Sequence, residues 1–416
     1  MKLRDYQDDL STKGAEILRK FKILYFSMEV RTGKTFTALA SFKKLGFDEC
    51  LVITKKKAIK SIEADAEAIG INATVINYES LHKINQKFKC VIIDEAQSIG
   101  AYPKPTKRFK ECQKHIDQNT FLIFLSGTPT PESFSQIYHQ FAVHPLNPFA
   151  KFKTFYLWAR EFVTIQKIFV ANGRQVNDYS RANFQMIEPH IKHLMLSYTQ
   201  KQAGFNQTIQ EEVLTVPMKP ITYKIAKSIM KNNIFEGKEK VVLADTGAKV
   251  LSKIHQIYSG TVIVEGGEAI IFDDSKAQFI KENFKGQKIA VFTKYKAEEL
   301  LLKSVLKNVV DSPEDFNAST DATFVGQIQS SREGVNLSTA DCLVYYNIDF
   351  SALSYLQGRD RATSKDRVKE NKVFWIFAEN GVESKIYDRV INKQDYTLRH
   401  YKNDRGGLSV ETYQTL

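Results

Sequence analysis

Short apolar runs alternate with amphipathic stretches through the first third of the chain. The apolar runs have the length of buried strands and cover residues 22–27, 50–54, 74–77, 90–93 and 121–125. Residues 58–69, between two of these runs, carry apolar side chains at helical spacing. Alternation of this kind is typical of a parallel sheet with helices on both faces. The pattern therefore predicts an α/β lobe over residues 1–145.

A second alternating block occupies the C-terminal half. Its strand-like runs are rich in branched and aromatic residues and cover residues 289–292, 323–326, 342–346 and 373–377. They predict a second α/β lobe of similar size over residues 206–416. We therefore predict an α/β protein with two tandem lobes, each built on a mainly parallel sheet flanked by helices.

The segment between the lobes, residues 146–205, breaks this alternation. It is rich in aromatic residues, such as Phe149, Phe152, Phe155, Tyr156 and Trp158. An Asn-Gly dipeptide at residues 172–173 is typical of a hairpin turn. We expect a connector or an insertion here.

The composition indicates a globular chain with a basic surface. The chain has 416 residues, of which 43% are apolar, enough for two or three domains with real cores. The formal net charge is +12, and lysine-rich stretches at residues 55–57 and 104–110 suit a polyanionic partner. On charge alone, a basic surface that contacts only solvent is the alternative.

The four cysteines, Cys50, Cys90, Cys112 and Cys342, are far apart and lack the paired spacing of metal ligands. We predict that they are buried free thiols in a reducing compartment. The N-terminus has no apolar signal region, and no apolar run approaches the ~18 residues of a membrane span. We therefore expect an intracellular, cytoplasmic protein with no membrane partner.

A phosphate-binding loop is predicted after the first apolar run. The sequence Val30-Arg31-Thr32-Gly33-Lys34-Thr35 lies between a strand-like run and a stretch with helical spacing. In that context Lys34 would place its ammonium on the β and γ phosphates, and the Thr35 hydroxyl would bind Mg²⁺. Met28 stands where such loops usually have their first glycine, so Gly33 alone supplies backbone freedom. Gly-Lys-Thr by itself is equally consistent with a turn that opens a helix.

A second strand end favours the nucleotide site over the simple turn. The run over residues 90–93 ends in Asp94 and Glu95, where Asp94 is suited to hold the metal and Glu95 to polarise a water. Residues 126–129, Ser-Gly-Thr-Pro, follow a third apolar run. Ligands in open α/β sheets bind beyond the carboxyl ends of the strands. We therefore predict that the three motifs converge on one edge of the sheet and form an ATP site with Mg²⁺.

The second lobe has no phosphate loop of its own. It carries Gly334 with residues 335–337 before one strand and Gln357-Gly358-Arg359-Asp360-Arg361 after it. A cluster of arginines at a strand end can reach a triphosphate that is held by another lobe. The alternative is a surface helix with salt bridges through Asp360. The first interpretation predicts an ATP site in the cleft between the lobes, whose closure depends on nucleotide.

These motifs together resemble the core of superfamily 2 helicases, and within that group the SWI/SNF-type DNA translocases in a short form like those of phages. The matching segments follow the family's order, from the opening motif through motifs I, Ia, Ib, II, III, IV, V and VI: residues 3–7, 28–35, 51–55, 77–81, 94–97, 126–129, 291–295, 330–337 and 357–361. The resemblance covers almost the whole chain. Residues 146–149 and the aromatic run behind them favour the SWI/SNF branch over the DEAD-box RNA helicases.

The resemblance implies roles for individual residues. ATP binding is implied for Arg4, Gln7, Arg31, Thr32, Gly33, Lys34, Thr35, Gly334, Gln357 and Arg361, with Gln7 at the adenine edge. A part in catalysis is implied for Lys34, Asp94, Glu95, Gln97 and Arg361, with Mg²⁺ on Thr35 and Asp94. Coupling of hydrolysis to movement is implied for Ser126, Gly127 and Thr128. Contacts to the nucleic-acid backbone are implied for Thr54, Lys55, Tyr78, Ser80, Thr293, Lys294, Ser331 and Asn336, although ordinary caps and turns use similar residues.

Three positions depart from the family's pattern. Gln97 stands where many relatives carry histidine, and Arg31 stands where they usually have a glycine. Ser364 replaces the second arginine of motif VI. We therefore take Arg361 as the first candidate for the arginine finger. Arg359, Lys365 and Arg367 are the possible substitutes.

The expected function is hydrolysis of ATP coupled to movement along duplex or branched DNA without sequence specificity. One alternative is a helicase that tracks a single strand of DNA or RNA. Another is a nucleic-acid-binding scaffold that hydrolyses ATP weakly, which Ser364 favours and Lys34, Asp94 and Glu95 disfavour. A metabolic kinase or a GTPase would leave the motifs of the second lobe unexplained. We expect a monomer, with targeting supplied by residues 145–205 or by an accessory protein.

Overall fold

The computed structural model describes residues 3–169, 175–204, 209–237, 240–328, 337, 339–351, 354–355 and 371–392. The chain divides into two compact units, residues 1–205 and residues 206–416. Each unit contains a six-stranded parallel sheet flanked by helices. The predicted fold class, with two RecA-like α/β lobes, is confirmed.

The described elements of the first unit alternate between strands and helices. Its strands are β1 (Ile23–Met28), β2 (Glu49–Thr54), β3 (Asn72–Asn77), β4 (Cys90–Asp94), β5 (Phe121–Ser126), β6 (Gln166–Phe169), β7 (Gln175–Asp178) and β8 (Met195–Tyr198). Its α-helices are α1 (Asp5–Phe21), α2 (Lys34–Lys43), α3 (Ile59–Ile69), α4 (Lys107–Gln113), α5 (Gln136–Ala142), α6 (Phe155–Phe162) and α7 (Phe184–Ile191).

The first sheet has the strand order β3-β2-β4-β5-β1-β8, and all neighbouring strands are parallel. Both of its faces are covered. Leu24 and Phe26 pack into the cluster formed with α1, α2 and α3, whereas Ile23 and Tyr25 pack into the cluster on the opposite face. Because both faces are buried, the central strands have nearly continuous apolar sequences, which is why sequence patterning finds them.

The aromatic-rich segment over residues 146–204 lies within the first unit. Phe149, Trp158 and Phe162 are buried and pack on one face of the first sheet. The segment also supplies β8, which pairs with β1, and the hairpin of β6 and β7. The antiparallel pairing of these two strands agrees with the predicted hairpin, whose turn lies outside the described residues.

The second unit repeats the alternation over its described part. Its strands are β9 (Ile209–Val216), β10 (Ile234–Glu236), β11 (Val241–Leu243), β12 (Thr261–Ile263), β13 (Ala269–Ile271), β14 (Ile289–Thr293), β15 (Val309–Val310), β16 (Thr323–Gln327), β17 (Cys342–Tyr345) and β18 (Asn371–Ala378). Its α-helices are α8 (Pro220–Asn232), α9 (Gly247–Ile257), α10 (Ser275–Asn283), α11 (Lys296–Val305), α12 (Pro313–Ala318) and α13 (Glu383–Val390).

The second sheet has the order β15-β16-β14-β17-β18-β9 and is also parallel throughout. A buried ion pair connects two of the helices beside it. Lys276 of α10 and Glu383 of α13 are 2.7 Å apart, and both side chains are fully buried. An isolated charge at this depth would be strongly unfavourable. The opposite charge of the partner offsets that cost for each of the two side chains.

The four cysteines are buried thiols that form no disulfide bond with one another, as predicted. No helix in the described part of the chain has both the length and the apolar composition for crossing a membrane.

Candidate nucleotide site in the first unit

Three loops that carry predicted site residues follow three adjacent strands. In the first sheet β5 lies between β4 and β1, and all three run in the same direction. The loop after β1 leads into Lys34, β4 ends at Asp94, and β5 ends at Ser126. A Cβ at Gly127 would lie 3.4 Å from the Met28 carbonyl oxygen, so the loop after β5 contacts the last residue of β1. The predicted convergence on one sheet edge therefore follows from the strand order.

The loop between β1 and α2 contains two residues in the left-handed region of backbone space. Gly33, which precedes the first residue of α2, has φ +80°, and Arg31 has φ +63°. A residue with a side chain adopts this conformation at a cost of roughly 1–2 kcal/mol. Glycine adopts this conformation without that cost, which fits its use at this position in the proteins that the motif resembles. Arg31 keeps the same left-handed backbone conformation.

Side chains from the N-terminal helix hold this loop in place. The Tyr6 hydroxyl donates to the Thr32 carbonyl over 2.9 Å. The Gln7 side chain is buried, accepts a hydrogen bond from the Arg4 amide over 3.0 Å and packs directly on Gly33. A Cβ at Gly33 would lie 2.2 Å from Gln7 Nε2, so a larger residue at this position would displace the Gln7 side chain or the loop. The adenine contact implied for Gln7 stays a prediction.

The strand β8 and the residues after it hold the other side of the loop. The Glu29 amide donates to the Tyr198 carbonyl over 3.0 Å. Gln200 donates its backbone amide to the Glu29 carboxylate over 2.6 Å and its side-chain amide to the Val30 carbonyl over 3.1 Å. Tyr198 also stacks on Tyr6, with ring centroids 4.6 Å apart. Residues from the aromatic-rich segment therefore help to shape the phosphate loop.

Sequence analysis missed this contribution of Tyr6, Tyr198 and Gln200. No motif in the local sequence identifies them, because their contacts depend on the pairing of β8 with β1 across about 170 residues of chain. Tyr6, inside the predicted opening motif, is the one of the three that motif spacing could have suggested.

Asp94 lies at the end of β4 in a buried, polar setting. The Thr54 hydroxyl donates to Asp94 Oδ2 over 2.7 Å. Burial and the neighbouring charge of Glu95 raise the pKa of the Asp94 carboxyl above its usual range, whereas the Thr54 hydrogen bond and the Lys34 ammonium partly oppose the rise. A divalent cation beside this carboxylate would favour its charged form more strongly than either group. A cation bound there would therefore keep Asp94 ionised.

Glu95 has an unusual backbone and a linked side chain. Its φ is +53°, a left-handed conformation that costs a non-glycine residue stability and is often found at functional sites. The Gln97 amide nitrogen donates to Glu95 Oε2, and the Ser126 hydroxyl donates to Gln97 Oε1 over 2.6 Å. Ser126 Oγ in turn accepts the Thr128 amide over 3.0 Å. A continuous hydrogen-bond chain therefore joins Glu95 to the loop after β5.

The residues at this edge fit a nucleoside triphosphate with Mg²⁺. Lys34 and Thr35 are the first two residues of α2, where backbone amides and the helix dipole favour anions. Both residues are partly exposed, and the positive charge of Lys34 lowers the pKa of the Asp94 carboxyl. Magnesium is commonly held by one or two protein oxygens together with the phosphates of its nucleotide, which matches Asp94 and Thr35.

Two of the residues predicted to contact nucleic acid in the first unit have partners inside the protein. Thr54 is fully buried and binds Asp94, and Tyr78 is only 3% exposed and donates its hydroxyl to the Asp94 carbonyl over 2.5 Å. Both therefore support the end of β4. Lys55 and Ser80 follow β2 and β3 and are partly exposed. They are the members of this set that are not buried.

Of the two described candidates in the second unit, one is buried and the other is paired within the protein. Thr293 is fully buried at the end of β14. Lys294 forms an ion pair of 2.7 Å with Asp349, with side-chain exposures of 12% and 9%, and its ammonium lies 3.8 Å from the Phe350 ring centroid. Lys294 is therefore held by the protein in this conformation.

The remaining predicted site residues, Ser331, Gly334, Asn336, Gln357 and Arg361, lie outside the described residues. Ser364 and the possible substitutes for the arginine finger, Arg359, Lys365 and Arg367, lie there as well.

Comparison with known proteins points to one class. The chain is 29% identical over 132 residues to the ISWI chromatin-remodeling complex ATPase ISW1 of Saccharomyces cerevisiae, covering 31% of this chain and 11% of that protein. It is 20% identical over 400 residues to the CHD3-type chromatin-remodeling factor PICKLE of Arabidopsis thaliana, covering 86% of this chain and 27% of that protein. No protein-family model matches the chain.

These similarities, together with the two parallel-sheet units, support a superfamily 2 helicase-like core. The chain spans about a quarter of the length of PICKLE and about a tenth of the length of ISW1. Its own reaction and substrate therefore have to be argued from the site.

Proposed function

We propose that this protein is a DNA-dependent ATPase that couples hydrolysis to movement along duplex or branched DNA. The observation that carries the proposal is the hydrogen-bond chain from Glu95 through Gln97 and Ser126 to Thr128. It connects a carboxylate suited to polarise water with a second loop, as a motor requires when chemistry must change protein conformation. The similarity to chromatin-remodelling ATPases supports the same class of activity.

The residues of the first unit would have the following roles in binding and hydrolysis of ATP. Lys34 and the backbone of the loop after β1 would bind the phosphates, and Thr35 and Asp94 would hold Mg²⁺. The metal ion, when bound, neutralises charge on the phosphates. Glu95 would accept a hydrogen bond from the attacking water, and Gln97 would fix the position of the Glu95 carboxylate. Arg361 stays our proposal for the arginine finger.

The basic character of the chain supports DNA as the partner. The net charge is +12, and Lys55 and Ser80 lie after adjacent strands at the same edge of the first sheet. Contacts to phosphates fix a protein on a duplex without reading the sequence. We therefore propose movement without sequence preference. RNA is included among the polymers in the test below.

The test is steady-state ATPase activity with no polymer, single-stranded DNA, blunt duplex DNA, forked DNA and RNA. Duplex or forked DNA is expected to stimulate hydrolysis most. Preferential stimulation by RNA, or none by any polymer, would reject a DNA translocase. Movement is then measured by displacement of a third strand from a triplex, and displacement without ATP would contradict coupling.

A further inference from the structure

Two aromatic side chains on the surface of the first unit stack on each other and remain open to solvent. The ring centroids of Phe134 and Phe184 are 4.6 Å apart with an interplanar angle of 27°, and each residue is 39% exposed. Aromatic side chains gain more than most from burial, so an exposed stacked pair indicates a binding surface. We refer to Phe134 and Phe184 as the aromatic platform.

The backbone beneath the platform is held firmly. On either side of Phe134, the Ser133 hydroxyl donates to the Ser180 carbonyl over 2.6 Å, and the Ser135 hydroxyl donates to the Tyr179 carbonyl over 2.5 Å. Phe184 is the first residue of α7, and the Asn183 side chain caps that helix. A ligand that binds here would therefore not have to order the protein backbone, a cost that weakens binding to flexible surfaces.

The platform lies at the sheet edge that carries the proposed nucleic-acid contacts. Phe134 is in the loop from β5 to α5, and a helix that follows a parallel strand begins at the carboxyl edge of the sheet. The helix α7 precedes β8, which runs parallel to β1, so α7 begins toward the same edge. Lys55 and Ser80 follow strands that end there too.

The segment that supplies Phe184 has an excess of positive charge, which suits a polyanionic partner. Residues 146–204 contain eight Lys and Arg against three Asp and Glu, an excess of five positive charges. Arg181, between the platform-supporting residues Ser180 and Asn183, is exposed and forms no ion pair with any residue that the structure describes. Aromatic faces combined with nearby positive charge are the usual means of binding unpaired bases and their phosphates.

We propose that the aromatic platform stacks on an unpaired base, and that the substrate class is therefore DNA in which single-stranded bases adjoin a duplex. Bases inside a duplex are already stacked on their neighbours, so only an unpaired base offers a free face. The inference rests on the proposed function and narrows its substrate from duplex or branched DNA to forked or gapped DNA with unpaired bases.

The test compares binding to forked and blunt DNA of equal length, with 2-aminopurine at the unpaired positions beside the fork. The wild-type protein is expected to prefer the fork and to change the 2-aminopurine fluorescence. The double variant Phe134→Ala/Phe184→Ala is expected to lose about 5- to 150-fold in fork affinity, the equivalent of about 1–3 kcal/mol, and to bind blunt duplex unchanged. Phe134→Trp keeps an aromatic face and should retain the preference.

Two controls separate stacking from other effects. Leu300→Ala removes an apolar side chain from α11 of the second unit, where Leu300 is 62% exposed. This variant should bind both forked and blunt DNA with wild-type affinity. Abasic sites at the unpaired positions keep the phosphates and should abolish the preference of the wild-type protein. Circular dichroism of each variant establishes that it is folded.

A folded double variant that keeps the wild-type fork preference would overturn the inference, as would equal losses on fork and blunt duplex. A preference that survives abasic substitution would also overturn it, because the fork would then be recognised without its unpaired bases. These results leave DNA-stimulated hydrolysis intact, whereas absence of stimulation by any DNA would reject the proposed function itself.

Discussion

The Ser126 hydroxyl donates a hydrogen bond to the Gln97 side-chain oxygen over 2.6 Å, and this contact joins the loop after β5 to the loop after β4. The same Gln97 amide donates to Glu95. A glutamine can serve both neighbours because its amide offers a donor and an acceptor at once. Gln97 therefore stands between the proposed water-polarising carboxylate and the loop proposed to transmit movement.

The variant Gln97→Glu tests this arrangement. It keeps the size of the side chain but places a second carboxylate beside Glu95 and removes the donor. We expect DNA-stimulated ATPase activity to fall by about 10- to 100-fold, the equivalent of one charge-assisted hydrogen bond. Nucleotide affinity, measured by titration with a fluorescent ATP analogue, should change little. Gln113→Glu, an exposed glutamine at the end of α4, is the matched control. A fully active Gln97→Glu would remove Gln97 from the coupling pathway.

The contact between Gly33 and Gln7 predicts a second effect. Gly33→Ala would place a Cβ 2.2 Å from Gln7 Nε2 at a residue with φ +80°, so it would displace the Gln7 side chain from the loop and strain the backbone between β1 and α2. Gly46→Ala has a similar φ of +86° and no neighbouring atom within 4 Å. Both variants should lose roughly 1–2 kcal/mol of stability from backbone strain. Only Gly33→Ala should also lose ATP binding, as measured by equilibrium titration; equal binding by the two variants would contradict the steric argument.

The buried pair of Lys276 and Glu383 predicts a stability effect in the second unit. Lys276→Met leaves Glu383 charged and unpaired, and it should cost about 3–5 kcal/mol of the free energy of unfolding. Adding Glu383→Gln should recover much of this loss. Lys303→Met breaks an exposed pair with Asp311 and should cost under about 1 kcal/mol. Urea denaturation measures the free energy of unfolding of the single variants Lys276→Met, Glu383→Gln and Lys303→Met and of the double variant. If the double variant loses the sum of the losses from Lys276→Met and Glu383→Gln alone, the two charges are not coupled.

The salt dependence of DNA binding distinguishes the role proposed for Lys55 from that of Lys294. DNA binding through phosphate contacts weakens as salt rises, and removal of one lysine contact reduces the slope of log K against log salt by about 1. We expect this reduction for Lys55→Ala. Lys294 is paired with Asp349, so Lys294→Ala should leave the slope unchanged and lower the stability of the second unit. A reduced slope for Lys294→Ala would mean that its ion pair opens when DNA binds.

Much of the fold follows from the sequence because the central strands are buried on both faces. The predicted runs at residues 121–125 and 289–292 lie within β5 and β14, each of which extends one residue further. The strands at the sheet edges were harder to recognise. The strand β9 contains Glu211 and Glu212 among its apolar residues, and Glu211 accepts a hydrogen bond from Trp375 on β18 over 3.0 Å. Its place in the sheet depends on that tertiary partner, which local patterning does not contain.

The site was predicted less completely than the fold. Motif spacing predicts roles for Lys34, Asp94 and Gln97, and strand order brings their loops together. It did not reveal that Tyr78 points into the core and supports the backbone of Asp94. Side-chain direction after a strand depends on the local turn, here a 3-10 turn over Tyr78–Lys83, and a motif match does not specify that geometry.

The central claim is that the loop between β1 and α2 binds the nucleotide whose hydrolysis drives movement on DNA. The most direct measurement is DNA-stimulated ATPase activity of Lys34→Ala beside the wild-type protein. Lys43→Ala, a lysine at the other end of the same helix α2, is the control. We predict a loss on the order of 100-fold or more for Lys34→Ala, because the charge that stabilises the transferring phosphoryl group is gone, and near wild-type activity for Lys43→Ala. Normal hydrolysis by Lys34→Ala would contradict the account.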